Sequence, residues 1–144
     1  MEVVLDSVLN ILVVDDSENM RLDLKTRYEE LGHNVIGEAA NGLEALELVE
    51  SKNPDLVSLD IIMPEMDGIE CYRLLKKLES PPRCLLVSAL SDEPRVIEAY
   101  SSEISGEHYV SKNCTNDELS EKIRIVMEVE ALSEPPKDEH HAMT

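Results

Sequence analysis

Basic residues are scarce in this sequence. Its 144 residues include 13 Lys and Arg against 31 Asp and Glu, a formal net charge of −18 at pH 7. Charge of that sign repels nucleic acid and anionic membrane surfaces. We therefore expect no direct binding of nucleic acid by this chain and no association with a membrane.

The sequence also lacks the cysteine spacing of a zinc site or a disulfide framework. Cys71, Cys84 and Cys114 are odd in number and form no CxxC pair, which suits the reducing cytosol. Long apolar runs are missing, and the N-terminus MEVVLDSVL carries acids instead of a basic targeting segment. These absences predict a soluble cytoplasmic protein whose cysteines are buried or half-buried apolar residues.

Short apolar runs alternate with longer amphipathic segments from Ile11 to Met127. This alternation is typical of a parallel sheet with crossover helices. The strand candidates are residues 11–14, 34–39, 55–59, 83–87 and 107–110. Most of them are too continuously apolar for a sheet with one face in water, so we expect helices on both faces.

Apolar residues recur at helical spacing between those runs. The five stripes are Met20, Leu24, Tyr28 and Leu31; Ala45, Leu46 and Val49; Cys71, Leu74, Leu75 and Leu78; Val96, Ile97, Tyr100 and Ile104; and Leu119, Ile123, Val126 and Glu130. Asn41 with Glu44, and Thr115 with Glu118, have capping-box spacing. We interpret the stripes as parts of the core.

The length of the chain indicates one domain with a substantial core. We place this domain at residues 9–132, after an N-terminal extension at residues 1–8. Residues 133–144, SEPPKDEHHAMT, have no periodicity and contain two adjacent prolines, which predicts a disordered tail or the stub of a linker.

Polar side chains follow the apolar runs at the edge where ligands bind in open parallel sheets, outside the carboxyl ends of the strands. Asp15 and Asp16 follow the first run, Asp60 the third and Ser88 the fourth, and Lys112 lies just beyond the fifth. Taken singly, such residues are commonly helix caps, solvated lysines or serines bonded to backbone. Their occurrence together favours a shared site.

Three carboxylates at one edge would repel one another unless a cation joined them. Mg²⁺ suits this place because it takes oxygen ligands and commonly uses one or two carboxylates with phosphate oxygens. One carboxylate would remain free as a nucleophile, and phosphoryl transfer needs mainly positioning and positive charge. Lys112 and Ser88 would supply charge and hydrogen bonding, so the residues favour phosphoryl chemistry.

Four segments together resemble the receiver domain of response regulators, the phosphorylatable half of two-component signalling. They are ILVVDDS, LVSLDIIMPEMDGIE, LLVSAL and HYVSK, and the match spans roughly residues 9 to 130. The resemblance implies an α/β fold of the flavodoxin-like (βα)5 type, with a doubly wound parallel sheet in the order 2-1-3-4-5. It also implies a signalling protein that catalyses only its own phosphorylation and dephosphorylation.

The resemblance assigns a role to each matched residue. Asp60 would accept a phosphoryl group from a histidine kinase, a histidine phosphotransfer protein or a small phosphodonor. Asp16, Asp60 and the Ile62 carbonyl would bind Mg²⁺ directly, and Asp15 would act mostly through a water. Lys112 would pair with the phosphoryl group.

The resemblance also implies a switch. Ser88 would move toward the phosphoryl group and let Tyr109 turn inward, which would reshape the surface of the fourth helix, fifth strand and fifth helix for a downstream protein. The chain would be a monomer or a phosphorylation-dependent dimer. It would act alone, as chemotaxis adaptors and relay intermediates do, or as a fragment of a larger regulator.

Two features depart from the family pattern. Receivers usually carry a cis proline after the lysine, but Asn113 follows Lys112 here. A cis bond before another residue costs several kcal/mol, so either that strain is kept or the bond is trans and Lys112 sits differently. Ile62 and Leu90 are apolar where polar side chains could hold a hydrolytic water, which predicts a long-lived phosphoryl form unless both face solvent.

Other functions fit the sequence less well. A hydrolase that works through an aspartyl phosphate would carry a second acid where Ile62 stands. A flavin carrier would need a Ser/Thr/Gly loop in place of DDSEN, which repels an anion. The segment PEMDGIE lacks the alternating oxygen ligands of a calcium loop. A pseudo-receiver that binds partners without phosphorylation typically lacks one of the key acids, and all are present here.

Overall fold

The computed structural model describes residues 7–89, 104 and 108–133. Its strands are β1 (Asn10–Val14), β2 (Asn34–Ala39), β3 (Leu56–Asp60), β4 (Arg83–Ser88) and β5 (Tyr109–Ser111). Its helices are α1 (Glu18–Glu30), α2 (Gly42–Lys52), α3 (Gly68–Lys76) and α4 (Asn116–Ser133). The strands pair in parallel in the order β2-β1-β3-β4-β5, which confirms the expected fold class and strand order.

The sheet is covered on both faces because side chains alternate along each strand. Leu12 and Val14 of β1 join one core cluster with residues of α2 and α3. Ile11 and Val13 point into a second cluster with residues of α1 and α4. A strand buried on both sides has no wet face, which explains the continuous apolar runs.

Most helical stripes pack as expected. The buried members are Leu24, Tyr28, Ala45, Val49, Cys71, Leu75, Leu119, Ile123 and Val126, and the half-buried ones are Met20, Leu31, Leu46, Leu74 and Leu78. Cys71 and Cys84 are buried and Cys114 is half-buried, all as free thiols, which confirms the interpretation of the cysteines. Among the described helices, none is both long and apolar enough to cross a membrane.

Hydrogen bonds at the helix starts follow the capping patterns. Thr115 N donates to the Glu118 carboxylate at 2.9 Å, and Glu118 N donates to Thr115 Oγ1 at 3.1 Å. Asn41 Oδ1 accepts from Glu44 N at 2.9 Å, but the Glu44 carboxylate accepts from Ala40 N. The capping box of Thr115 and Glu118 is therefore confirmed. In the other, the Glu44 carboxylate accepts from the backbone N–H of Ala40 instead of that of Asn41.

Two sequence expectations differ from the structure or lie outside it. The sequence predicts the fifth strand at residues 107–110, but pairing with β4 begins at Tyr109 and continues to Ser111. Register with the neighbouring strand sets this boundary, and an apolar run alone does not reveal register. Residues 1–6 and 134–144 lie outside the described residues, and so does the fourth predicted helix apart from Ile104, which is buried.

Candidate functional site

The carboxyl edge of the sheet brings three acids together. Asp15 directly follows β1, and Asp60 is the last residue of β3. Asp16 lies beside them, and one carboxylate oxygen from each of the three acids lies within 4.8 Å of the other two. The cluster predicted from the strand ends is present.

The acids differ in their exposure to solvent. Asp15 is fully buried, Asp60 is 4% exposed and Asp16 is exposed. Burial, followed by the nearby Asp15 carboxylate, raises the pKa of Asp60 to about 6, against the opposing effect of Lys112. Asp60 is therefore mostly ionised at neutral pH, at a cost in free energy that a cation would relieve.

Lys112 is the basic group of this cluster. Its Nζ lies 3.0 Å from Asp15 Oδ2 and 3.1 Å from Asp60 Oδ1. Burial lowers the pKa of Lys112, but the two carboxylates outweigh it and leave the pKa above its ordinary value. The ammonium is thus charged and ion-paired with both buried acids.

The peptide bond after Lys112 is trans, since no cis bond occurs in the described ranges. The sequence left open whether Lys112 would then sit differently. Its ammonium nevertheless reaches both acids, while its backbone N–H donates to Ser88 O at 2.8 Å. The loop after β5 therefore delivers the lysine to the site without a cis bond.

Ser88 and Tyr109 lie on the two strands beside this loop. Ser88 is fully buried, and its Oγ has no hydrogen-bond partner in the part of the chain that the structure describes. A buried hydroxyl without a partner is well suited to donate a hydrogen bond to an oxygen atom of a bound ligand. Tyr109 is 3% exposed and packs in the core cluster on the α2 and α3 face, so its ring is already buried.

Two supporting residues escaped the sequence analysis, Ser17 in the loop after β1 and Arg21 in α1. Ser17 N donates to Asp15 Oδ1 at 2.9 Å, and Ser17 Oγ caps α1 through Met20 N. Arg21 Nη1 donates to Asp15 O at 2.8 Å, and its Nε pairs with Glu38 at 3.2 Å. Ser17 has the residue type and place of a helix cap, but no spacing rule reveals the bond made by Arg21.

Gly68 is a third residue that sequence reasoning missed. It opens α3, and its N–H donates to Ile61 O at 2.7 Å. A Cβ at this position would stand 2.1 Å from Asp60 O and 2.9 Å from Ile61 Cα. Only glycine lets the start of α3 approach the backbone of Asp60 this closely.

Ile62 lies two residues after Asp60 and is 58% exposed. This exposure agrees with the alternative that its side chain faces solvent, so crowding by its bulk loses support. The prediction of slow hydrolysis now rests on the lack of a hydrogen-bonding group at this position. Leu90, the other residue in that argument, lies outside the described residues.

The donor set fits a hard divalent cation. Carboxylate oxygens are the ligands that Mg²⁺ prefers, and the exposed Asp16 leaves one side open to water and phosphate oxygens. Among the residues that the structure describes, three carboxylates face one ammonium here, so a divalent cation would balance the excess negative charge. The site thus combines an acidic pocket that could hold a metal ion, an ion-paired lysine and a buried hydroxyl with no partner among the described residues.

Comparison with known proteins gives consistent matches. The family model of the response regulator receiver domain matches residues 11–124. The chemotaxis protein CheY of Bacillus subtilis is 40% identical over 89 residues, which cover 62% of this chain and 74% of that protein. A protein-glutamate methylesterase/protein-glutamine glutaminase of Thermotoga maritima is 35% identical over 135 residues, but these cover only 39% of its length and 87% of this chain.

Solved structures agree with these matches. The response regulator domain of Thermotoga maritima CheB is 35% identical with a TM-score of 0.70, over 85% of this chain and 98% of that one. The CheX-CheY-BeF3-Mg²⁺ complex from Borrelia burgdorferi gives 30% identity and a TM-score of 0.67, over 79% of this chain and 85% of that one.

Proposed function

Because this chain belongs to the response regulator receiver domain family, we propose that it is a signalling receiver that is phosphorylated on Asp60. The observation that carries the proposal is the cluster at the sheet edge, where the Lys112 ammonium pairs with both Asp15 and Asp60 and where Asp16 adds a third carboxylate. The donor would be a histidine kinase, a histidine phosphotransfer protein or a small phosphodonor.

The proposed chemistry is a direct transfer. An Asp60 carboxylate oxygen forms a bond to the phosphorus, the bond from phosphorus to the donor breaks, and the donor leaves with that electron pair. No proton has to leave Asp60 when it is ionised, which is its main state above a pKa of about 6. The Lys112 ammonium, which now pairs with the Asp60 carboxylate, would then also pair with the phosphoryl oxygens and stabilise their negative charge.

Mg²⁺ would be held by Asp16, Asp60 and the Ile62 carbonyl, with Asp15 acting through water, and would supply positive charge to the phosphoryl oxygens. The positions of the three acids support this proposal. The assignment of the Ile62 carbonyl comes from the family resemblance. Ser88 Oγ would donate to a phosphoryl oxygen. Its burial, with no hydrogen-bond partner in the described ranges, favours this role.

The signal would leave through the surface beside Ser88 and Tyr109. We propose that the Ser88 bond to the phosphoryl group changes the packing around Tyr109, and with it the surface of the predicted fourth helix, β5 and α4. Because Tyr109 is already buried, this change would be a repacking within the core cluster. A downstream protein would read that surface, in chemotaxis or another pathway, with the chain as a monomer or a phosphorylation-dependent dimer in the cytoplasm.

Beryllofluoride, which mimics a phosphoryl group on a carboxylate, tests this function. In the presence of Mg²⁺, fluorine NMR should show bound beryllofluoride in the wild type and in Asp55→Asn, which removes the same charge at the opposite end of β3. Asp60→Asn should bind none, and Asp16→Ala should require far more Mg²⁺. Equal binding by Asp60→Asn would rule out Asp60 as the acceptor.

A further inference from the structure

The loop after β5 has to hold Lys112 in place, and it does so partly by its own turn. Cys114 N donates to Ser111 O at 3.0 Å, and Asn113 N donates to Ser111 Oγ at 3.1 Å. These bonds use the N–H groups of the turn and leave the carbonyls of Lys112 and Cys114 for partners outside it. Surface loops are mobile by default, so an outside partner decides how firmly this one is held.

That partner is Arg27 on α1. Its Nη2 donates to Cys114 O at 2.5 Å, and its Nη1 reaches Lys112 O at 3.5 Å, the long limit of a hydrogen bond. The carbonyls on either side of Asn113 therefore share one planar guanidinium. Arginine suits this task because its donors are fixed in a rigid fork.

The same guanidinium is tied to the start of α4. Arg27 Nε donates to Asn116 Oδ1 at 2.7 Å, and Asn116 Nδ2 donates to Glu30 Oε1 at 3.0 Å. Arg27 and Glu30 belong to one helix, α1, which is anchored in the core by Leu24 and Tyr28. The loop is thus fastened at both ends to a rigid element.

We propose that Arg27 is a positioning residue for Lys112. It holds the trans loop so that the Lys112 ammonium stays between Asp15 and Asp60. The backbone of Lys112 is then fixed on two sides, since its N–H donates to Ser88 O and its carbonyl faces the guanidinium. Among the described residues, Arg27 donates to the loop and to Asn116, so it acts on the site only through the loop.

The consequence for phosphorylation rests on the function proposed above. Phosphoryl transfer depends on charge placed accurately around the phosphoryl oxygens, and a small misplacement costs much of the rate. Releasing the loop should let the Lys112 ammonium leave its two partners part of the time. The rate of transfer to Asp60 should fall while the acid cluster itself stays intact.

A double-mutant cycle tests the proposal with acetyl phosphate and Mg²⁺. Arg27→Leu should slow phosphorylation on the order of tenfold in the wild-type background. In a Lys112→Met background, the same change should cost less than about twofold, because the residue that it positions is gone. Equal fold losses in both backgrounds would overturn the proposal, because Arg27 would then act independently of Lys112.

Two further variants guard against a simple folding defect. Arg27→Lys keeps the charge but cannot donate to both sides of the turn, so it should still slow phosphorylation, by less than Arg27→Leu. Arg124→Leu is the matched control, since Arg124 pairs with Glu121 and Glu128 on its own helix. This variant should leave the rate unchanged. Full activity of Arg27→Lys would contradict a positioning role for the fork.

The unphosphorylated protein gives an independent readout. The Lys112 Nζ–H signal in nitrogen-15 NMR should be visible in the wild type, because the ion-paired ammonium exchanges its protons slowly, and should broaden or disappear in Arg27→Leu. An unchanged signal would refute the proposal. If the wild type accepts no phosphoryl group at all, the proposed function fails, but this signal still decides the role of Arg27.

Discussion

Replacing Asp60 with Asn should stabilise the protein when divalent cations are absent. Asn resembles the protonated acid in shape, so the change removes the cost of keeping a buried carboxylate ionised. Asp60 has an ordinary pKa of 3.8 and a pKa of about 6 in the folded chain. Since one pKa unit corresponds to 1.36 kcal/mol, the free energy of unfolding should rise by about 2 to 3 kcal/mol at pH 7.

The stabilisation by Asp60→Asn should increase as the pH rises. The folded state holds the Asp60 proton more tightly than the unfolded state does, so ionisation costs stability as the pH rises from about 4 to about 6. Below this window both forms of the residue are neutral, and wild type and Asp60→Asn should differ little. Above it the full difference should be present.

Urea unfolding in a chelator, at pH values from 4 to 8, measures this difference. Asp55→Asn is the matched control because it removes one charge from the amino end of the same strand, where the exposed Asp55 accepts from Asn10 N. It corrects for relief of the overall charge of −18. A gain for Asp60→Asn no larger than that of Asp55→Asn would refute the electrostatic account of the site. Saturating Mg²⁺ should narrow the gap, since it stabilises only the protein that binds it.

Three further changes have defined outcomes. Gly68→Ala should lower the free energy of unfolding by at least about 2 kcal/mol, because the added Cβ would stand 2.1 Å from Asp60 O. An exposed alanine substitution on α3 typically changes this free energy by less than about 0.5 kcal/mol, and a loss as small as that for Gly68→Ala would contradict the contact. Tyr28→Phe should lower the free energy of unfolding, measured in urea, by about 1 to 3 kcal/mol. The change removes the hydrogen bond that Tyr28 Oη donates to the buried Ser58 Oγ at 2.7 Å. Adding Ser58→Ala should recover part of that loss, and strict additivity would count against the bond. The phosphoryl form should decay faster in Ile62→Asn than in the wild type, followed by mass spectrometry after donor removal, and equal rates would show that the apolar side chain does not slow hydrolysis.

The sheet could be read from the sequence because burial on both faces leaves a strong apolar signal. The runs around Ile11, Leu56 and Leu85 contain few polar residues, and parallel pairing then places their ends at one edge. The acid cluster followed from that topology, since Asp15 and Asp60 simply terminate adjacent strands. The predicted ends of β5 were wrong, because this strand is short and weakly apolar and register with β4 sets its ends.

The supports of the site could not be read in the same way. Arg27 acts on residues about 85 positions away in sequence, and nothing in its own helix distinguishes it from a solvated basic residue. The sequence does not decide the isomer of the bond after Lys112, because the family's cis pattern is set against the cost of a cis bond before Asn113. Gly68 carries the signal of a turn glycine, but only the structure reveals how close Asp60 O lies.

The central claim is that Asp60 takes a phosphoryl group. The most direct measurement is intact-mass spectrometry of the protein after incubation with acetyl phosphate and Mg²⁺, with peptide mapping of the modified residue. The account predicts one added phosphoryl group on Asp60 in the wild type and in Asp55→Asn, and none in Asp60→Asn. Labelling that persists in Asp60→Asn, or that maps to another residue in the wild type, would contradict it.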